Sequence, residues 1–263
     1  MYKQQRVCVV IPALNEELSI HQVIQGLLNL KGGSNQTIID EVVVCDNGST
    51  DSTARVAKHA GASVVYEPTP GYGRACLKAI NALTEPDIIL FIDADHAFLA
   101  HQAMPLISAI ARGYDLAIGS RTLGRMEKGA LTLPQRLGNQ LASAFIYGLW
   151  HHEVTDLGPY RAINASSLDK LNMQDQTFGW TIEMQIKAIQ HNLQITEIPV
   201  DTRRRIGVSK ISGTIKGSIK AGMGILGMIA KLWWQEQKNG HSDEVRNALN
   251  LPSEGSLTKG GNV

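Results

Sequence analysis

Short apolar runs alternate with longer amphipathic stretches along the first half of the chain. Continuous runs rich in β-branched residues predict five buried strands, at 7–12, 41–46, 62–68, 87–93 and 116–121. Apolar residues at helical spacing predict helices between these strands, at 18–30, 51–61, 72–83 and 101–112. This alternation predicts an α/β fold of Rossmann-like type, with a mostly parallel sheet and helices on both faces.

Polar residues stand where four of the predicted strands end. They occupy 12–16, 46–51, Asp93-Ala94-Asp95 and 119–121. Each group alone is also typical of an ordinary turn or helix cap. Because ligands bind beyond the carboxyl ends of parallel strands, the convergence of these groups on one edge of the sheet favours a binding site there.

Two aspartates one residue apart close the apolar run 88–92. In an extended chain the side chains of Asp93 and Asp95 point to the same face, where two like charges repel unless a cation lies beside them. Carboxylates are preferred ligands of Mg²⁺ and Mn²⁺, so the pair predicts a divalent-metal site. The segment "GYGRA" (71–75) gives a weaker signal, a glycine-rich helix entry whose amides can face an anion beside Arg74.

The composition narrows the classes of partner. The 263 residues carry a formal net charge of +1, which gives no case for nucleic acid. The chain shows neither G-x-G-x-x-G after its first strand nor a P-loop, which argues against an NAD-type dinucleotide fold. Cys8, Cys45 and Cys76 lack metal-ligand spacing and are expected to be reduced core residues. With no signal-peptide pattern before the first strand, a cytoplasmic setting is expected.

Several motifs taken together resemble a known enzyme family. In this order and spacing, "VVIPALNEE", "VVVCDNGSTDST", "GYGRACLKAI", "FIDADHAF" and "GSR" resemble family 2 glycosyltransferases with the GT-A fold. The later segments "DLGPYRAI" (156–163) and "RRRIGVSKISGT" (203–214) are similar to the branch that contains dolichyl-phosphate mannose and glucose synthases. The resemblance implies transfer of a hexose, with inversion, from a UDP- or GDP-sugar with the help of Mg²⁺ or Mn²⁺.

The resemblance also implies a role for individual residues. Nucleotide-sugar binding is expected at Pro12, Ala13, Glu16, Asp46, Arg121, Arg204 and Lys210. Asp93 and Asp95 match the metal motif, and Asp95 is therefore counted as catalytic. Acceptor contacts are expected at Arg136 and Ser209. The acceptor itself is expected to be a polyprenyl or dolichyl phosphate; a soluble hydroxyl acceptor, or a catalytically silent nucleotide-sugar-binding protein, is the alternative.

Asp156 is the best candidate for a catalytic residue on the acceptor side. A hydroxyl acceptor needs a carboxylate to take its proton, whereas a phosphate acceptor is already ionised and leaves Asp156 to orient arginines. Glu183, on a predicted helix, is a second candidate base. The chain departs from the dolichyl branch at Ala97, where relatives often have Gln, and adjoining His96 is either a substitute ligand or a loop residue.

The C-terminal part divides into a helix and a tail. The glycosyltransferase domain is expected over 1–210, an amphipathic helix over 211–235 and a flexible tail over 236–263. Three lysines interrupt the helix, and its uninterrupted part, 221–230, is too short to span a bilayer. The helix is expected either to pack on the domain or to lie peripherally at a membrane surface.

Overall fold

A seven-stranded sheet forms the centre of the protein. The structure is a computed structural model that describes residues 1–33, 35–207 and 215–248, without the side chains of 215–221 and 239–248. The strands are β1 (Val7–Ala13), β2 (Glu41–Asp46), β3 (Ser63–Tyr66), β4 (Ile88–Phe91), β5 (Leu116–Ser120), β6 (Arg161–Asn164) and β7 (Ile195–Pro199). Their order is β3-β2-β1-β4-β6-β5-β7, and β6 alone among them runs antiparallel to its neighbours. The predicted mostly parallel α/β fold is confirmed.

Helices cover both faces of this sheet. They are α1 (Ile20–Leu28), α2 (Thr53–His59), α3 (Tyr72–Ile80), α4 (Ala103–Ile110), α5 (Leu133–Trp150), α6 (Ala165–Leu171), α7 (Trp180–Gln190) and α8 (Ile215–Ala248). Val9 and Ile11 of β1 pack into the core formed with α1, α2 and α4, whereas Val10 packs into the core formed with α3, α6 and α7. Because both faces of β1 are buried, its sequence is a continuous apolar run.

A third apolar cluster joins α5, α7 and α8 beside the sheet. Ile146 of α5, Ile182 of α7 and Ile229 of α8 are among its buried members. Trp150 donates a 2.6 Å hydrogen bond from Nε1 to Glu236 of α8, which fixes α8 against α5. Among the described residues, no helix combines the length and the apolar character needed to cross a membrane.

The structure corrects the expected boundaries at two places. β4 ends at Phe91, so Asp93 and Asp95 lie in the turn after the strand rather than within its extended chain. α8 continues to Ala248, so 236–248 is helical and does not belong to the expected flexible tail. The hydrogen bond from Trp150 to Glu236 holds the helix just beyond the predicted end at 235.

Candidate active site

A cleft of about 640 Å³ opens at the carboxyl ends of β1 and β4. Pro12, Ala13 and Glu16 line it from the end of β1, and Asp93 and Asp95 line it from the turn after β4. The remaining walls come from the start of α3, the segment 177–178, Arg205 and the α8 residues Met223 and Gly224. The cleft therefore lies where ligands bind in open α/β sheets.

The carboxylates of Asp93 and Asp95 are incompletely neutralised by the protein. Oδ1 of Asp93 accepts a 3.0 Å hydrogen bond from the hydroxyl of Tyr72, and Oδ1 of Asp95 accepts one of 3.0 Å from the amide of Ala97. Nη1 of Arg205 lies 3.2 Å from Oδ2 of Asp95. Burial, followed by the charge of Asp95, raises the pKa of Asp93 to about 7. A hard divalent cation would relieve this repulsion, so the donor set fits Mg²⁺ or Mn²⁺.

The protein supplies only part of the coordination that such an ion needs. No group of three or more His, Cys, Asp or Glu side chains able to hold a metal occurs in the described part of the chain. His96 has a left-handed backbone with φ of 60° and forms the turn between Asp95 and Ala97. A bound diphosphate or water would supply further oxygen ligands to an ion held by the two aspartates.

The segment 203–207 lies across the metal motif. The amide of Ile206 donates to the carbonyl of Asp95 at 2.9 Å, and that of Arg203 donates to the carbonyl of Ala97 at 2.9 Å. A Cβ added at Gly207 would lie 4.0 Å from Oε2 of Glu16, so the segment reaches the opposite side of the cleft. The segment therefore contacts the backbone of the metal motif and approaches Glu16.

Asp156 is bound to Arg121 rather than exposed in the cleft. Its Oδ2 accepts from the backbone amide and from Nε of Arg121, both at 2.7 Å, and its Oδ1 accepts from Nη2 at 2.6 Å. Asp156 is 1% exposed. Glycine at 158 permits this approach, because a Cβ there would lie 3.1 Å from Oδ2 of Asp156. Charge-assisted bidentate pairing of this kind fixes the orientation of the guanidinium.

Two further residues hold the segment that carries Asp156. Glu197 of β7 accepts from the amide and hydroxyl of Thr155 and from the amide of Asp156. Arg161 is fully buried and donates to the carbonyls of Gly158 and Thr181. Burial lowers the pKa of Arg161 to about 10. Sequence reasoning assigned neither residue, since both act through the backbone of their neighbours.

The remaining predicted residues do not line the cleft where the structure describes them. Asp46 is buried beside it, where its Oδ1 accepts from the amide of Ser49. The amide of Arg204 donates to Glu127, and Arg136 is exposed on α5. Lys210 and Ser209 lie outside the described residues. Glu183 is buried but binds the amides of Gln174 and Asp175 and the ammonium of Lys187, away from the cleft lining.

The suggested anion site at "GYGRA" is corrected by the structure. The amides of Gly73 and Arg74 donate to the carbonyls of Thr177 and Gln176, at 3.0 and 3.1 Å. A Cβ at Gly73 would lie 2.0 Å from the carbonyl oxygen of Asp175, so glycine is required here for backbone packing. The glycine pattern that indicated an anion site therefore reflects close contact with another segment.

Phe178, Arg205 and Met223 line the cleft without having been predicted, and Asn47 and Tyr72 belong to predicted segments in which neither residue was given a role. Asn47 illustrates the reason. Its side-chain Nδ2 donates to the carbonyls of Glu67 and Thr69, and its Oδ1 accepts from the backbone amide of Gly71. Only the folded chain brings these groups together. Arg205 could have been predicted from the sequence, because it is the third member of a run of three arginines.

Paired aspartates follow the central strand β4 at the edge of the sheet where ligands bind in open α/β folds. The sequence profile described as glycosyl transferase family 2 matches residues 8–171. The chain therefore belongs to glycosyl transferase family 2, and the resemblance on which the sequence prediction rested is confirmed.

Two relatives share most of their length with this chain. A glycosyltransferase of Mycobacterium tuberculosis is 34% identical over 218 residues, covering 82% of this chain and 94% of the relative. A dolichyl-phosphate hexose transferase of Haloferax volcanii is 30% identical over 216 residues, covering 80% and 88%. A shorter match, 97 residues at 41% identity, covers 34% of this chain and 30% of a glucosyl-3-phosphoglycerate synthase of Mycolicibacterium smegmatis.

Solved structures share the fold. Glucosyl-3-phosphoglycerate synthase from Mycobacterium tuberculosis in complex with phosphoglyceric acid superposes with a TM-score of 0.66 at 22% identity, covering 86% of this chain and 81% of that one. The same enzyme in complex with Mn²⁺, UDP-glucose and phosphoglyceric acid superposes with a TM-score of 0.65 at 21% identity, covering 86% and 80%. The predicted GT-A fold is confirmed.

Proposed function

We propose that this glycosyltransferase moves a hexose, with inversion, from a UDP- or GDP-sugar to a polyprenyl or dolichyl phosphate, using Mg²⁺ or Mn²⁺. The proposed phosphate acceptor rests mainly on the pairing of Asp156 with Arg121. The proposed nucleotide-sugar donor and metal ion rest on the cleft that is lined by Pro12, Ala13 and the two aspartates of the metal motif.

On the donor side, the nucleoside would lie against the backbone at the end of β1, with Glu16 accepting from its hydroxyl or N–H groups. Asp93 and Asp95 would hold the metal ion, and the diphosphate would supply further oxygens. When bound, the ion stabilises the charge of the departing nucleoside diphosphate. Arg204 and Lys210 remain proposed contacts of the closing segment to the diphosphate.

On the acceptor side, both oxygens of Asp156 accept N–H groups of Arg121. A carboxylate used in this way orients a cation and is not placed to take a proton. A phosphate acceptor is already ionised and needs no base, so it is compatible with a carboxylate that is held by an arginine. Arg136 and Ser209 remain proposed acceptor contacts. The Haloferax volcanii relative named dolichyl-phosphate hexose transferase supports this class of acceptor.

A soluble acceptor is the second candidate. The segment that is 41% identical to glucosyl-3-phosphoglycerate synthase favours it, since that enzyme's name gives a small acceptor that is also anionic. An acceptor hydroxyl would need a base, and Asp156 would have to leave Arg121 to act as one. A silent nucleotide-sugar-binding protein on the same fold would bind donor and transfer nothing.

Calorimetric titration with UDP and with GDP, each in Mn²⁺ and in EDTA, tests the proposed metal-dependent binding of the donor nucleotide. We expect one nucleotide to bind at least about tenfold more tightly with Mn²⁺, because the ion links the aspartates to the diphosphate. Asp95→Asn should remove the Mn²⁺ effect, whereas Asp169→Asn, exposed on α6, should leave it unchanged. Equal binding in Mn²⁺ and EDTA would reject the metal site.

A further inference from the structure

Helix α5 presents an apolar stripe to solvent. Leu133, Leu137, Leu141 and Phe145 follow one another at four-residue spacing and are 74%, 59%, 56% and 48% exposed. The opposite side of α5, with Ala142 and Ile146, packs into the cluster shared with α7 and α8. Residues four apart advance by about 40° around a helix, so the four exposed side chains form one continuous slanted surface.

Helix α8, which packs against α5, has an exposed apolar surface of its own. It packs against α5 through their shared cluster, and its exposed large side chains include Met223, Leu226, Trp233 and Trp234. The hydrogen bond from Trp150 to Glu236 holds the two helices together. Exposed apolar surface of this extent marks a contact region, and tryptophan is enriched where proteins meet the headgroup level of a bilayer.

Two segments that contain the exposed apolar residues carry charge of one sign, although α8 has Glu236, Asp243 and Glu244 beyond them. The segments 128–152 and 202–235, which contain the stripe and the exposed part of α8, hold no Asp or Glu, although the whole chain has 24. The same two segments hold nine Lys and Arg residues, among them Arg136 beside the stripe and Lys231 between the exposed residues of α8. A second copy of the same surface would bring like charges together, whereas anionic lipid headgroups would complement them.

We propose that the apolar stripe of α5, together with the exposed face of α8, is a docking surface for a bilayer that contains anionic lipids. Leu133, Leu137 and Leu141 enter the boundary between headgroups and acyl chains, and the flanking cations contact the headgroups. Met223 lines the catalytic cleft and is also exposed on α8, so docking places the cleft mouth near the lipid surface. The use of this surface in catalysis rests on the proposed lipid-phosphate acceptor, whereas the surface itself does not.

Vesicle flotation without donor or acceptor tests the surface alone. The wild-type protein is mixed with phosphatidylcholine vesicles that contain or lack one quarter phosphatidylglycerol. We expect binding to the anionic vesicles to be about tenfold tighter than to the neutral ones. Leu137→Gln combined with Leu141→Gln keeps helix propensity and should weaken vesicle binding by about tenfold or more. Leu18→Gln, at a residue 68% exposed on another part of the fold, should bind as wild type does.

Each other outcome has a definite meaning. The proposed docking surface is overturned if the wild type does not float with anionic vesicles. It is also overturned if the double variant floats as well as the wild type. A third outcome is that the wild type is a dimer in solution, the double variant is a monomer and neither binds vesicles. That result would assign the stripe to self-association and would also overturn the proposed membrane contact. Vesicle binding combined with transfer to a soluble hydroxyl would keep the surface and reject the lipid-phosphate acceptor, so the two proposals fail separately.

Discussion

At the scale of single residues, the two carboxylates proposed as catalytic have different surroundings. Asp95 lines the cleft and is paired with one guanidinium, while Asp156 is fully buried and receives three N–H groups from Arg121. A residue that contacts the metal and a residue that positions a cation should respond differently to the same isosteric change.

Asp156→Asn should retain measurable transfer to a short-chain polyprenyl phosphate. The amide keeps one oxygen for Arg121 but loses a charge-assisted bond worth about 1.5–3 kcal/mol, so kcat/KM should fall by about 10–100-fold. Asp95→Asn should lose nearly all transfer under the same conditions. If the two variants are equally inactive while both bind donor, Asp156 acts as a base and the acceptor is a hydroxyl.

The stability of the metal-free protein should depend on Asp93. Its pKa is raised to about 7 in the folded protein, above the usual carboxyl value that it regains on unfolding. The folded state therefore binds more protons, and the free energy of unfolding falls as pH rises from about 4 to 7, with a slope of at most about 1.4 kcal/mol per pH unit from this group.

Denaturant unfolding in EDTA at several pH values measures this dependence. Asp93→Asn should be less sensitive to pH over that range than wild type, and Asp169→Asn should match wild type. Identical pH dependence of wild type and Asp93→Asn would show that the carboxyl of Asp93 titrates normally.

At the scale of elements, the segment 203–207 closes the cleft by a few contacts. Its described anchors are the amides of Arg203, Arg204 and Ile206 and the ion pair from Arg205 to Asp95. These few contacts, in a segment where Arg203 and Arg204 are exposed, indicate a segment that opens readily. Trypsin should cleave after the arginines of this run, and donor nucleotide with Mn²⁺ should slow that cleavage at least about fivefold. An unchanged cleavage rate would contradict closure over the donor.

The contact of α3 with the segment 174–177 should be intolerant of any side chain at residue 73. Gly73→Ala would place a Cβ 2.0 Å from the carbonyl oxygen of Asp175 and should destabilise the protein by about 1–3 kcal/mol. Gly138→Ala on α5 meets no atom within 4 Å and should stabilise it by up to about 1 kcal/mol. Thermal unfolding of both variants measures the difference, and equal effects would disprove the close contact.

The elements differ in how far sequence could predict them. β1 and β2 were predictable because burial on both faces leaves a continuous apolar run. β6 was not, because it has four residues and begins with the buried Arg161, whose guanidinium needs the carbonyls of Gly158 and of the more distant Thr181 as acceptors. The paired aspartates were found from their chemistry. Their contacts with Tyr72 and Arg205 depend on the path of two loops, which no local pattern specifies.

At the scale of the whole molecule, the donor cleft, the Arg121–Asp156 pair and the outer surfaces of α5 and α8 belong to different parts of one chain. The central proposal is that they serve one reaction, in which an ionised phosphate attacks the sugar. That chemistry predicts which functional group of an acceptor is used, whatever the length of its tail.

The most direct measurement uses two acceptors that share one short polyprenyl tail, one ending in phosphate and the other in hydroxyl. Each is incubated with wild-type protein, Mn²⁺ and a panel of UDP- and GDP-hexoses, and products are identified by mass spectrometry. We expect a glycosyl phosphate from the first acceptor, no product from the second, and none from either in EDTA. Glycosylation of the alcohol, or of phosphoglycerate, with the polyprenyl phosphate left untouched would contradict the proposed reaction.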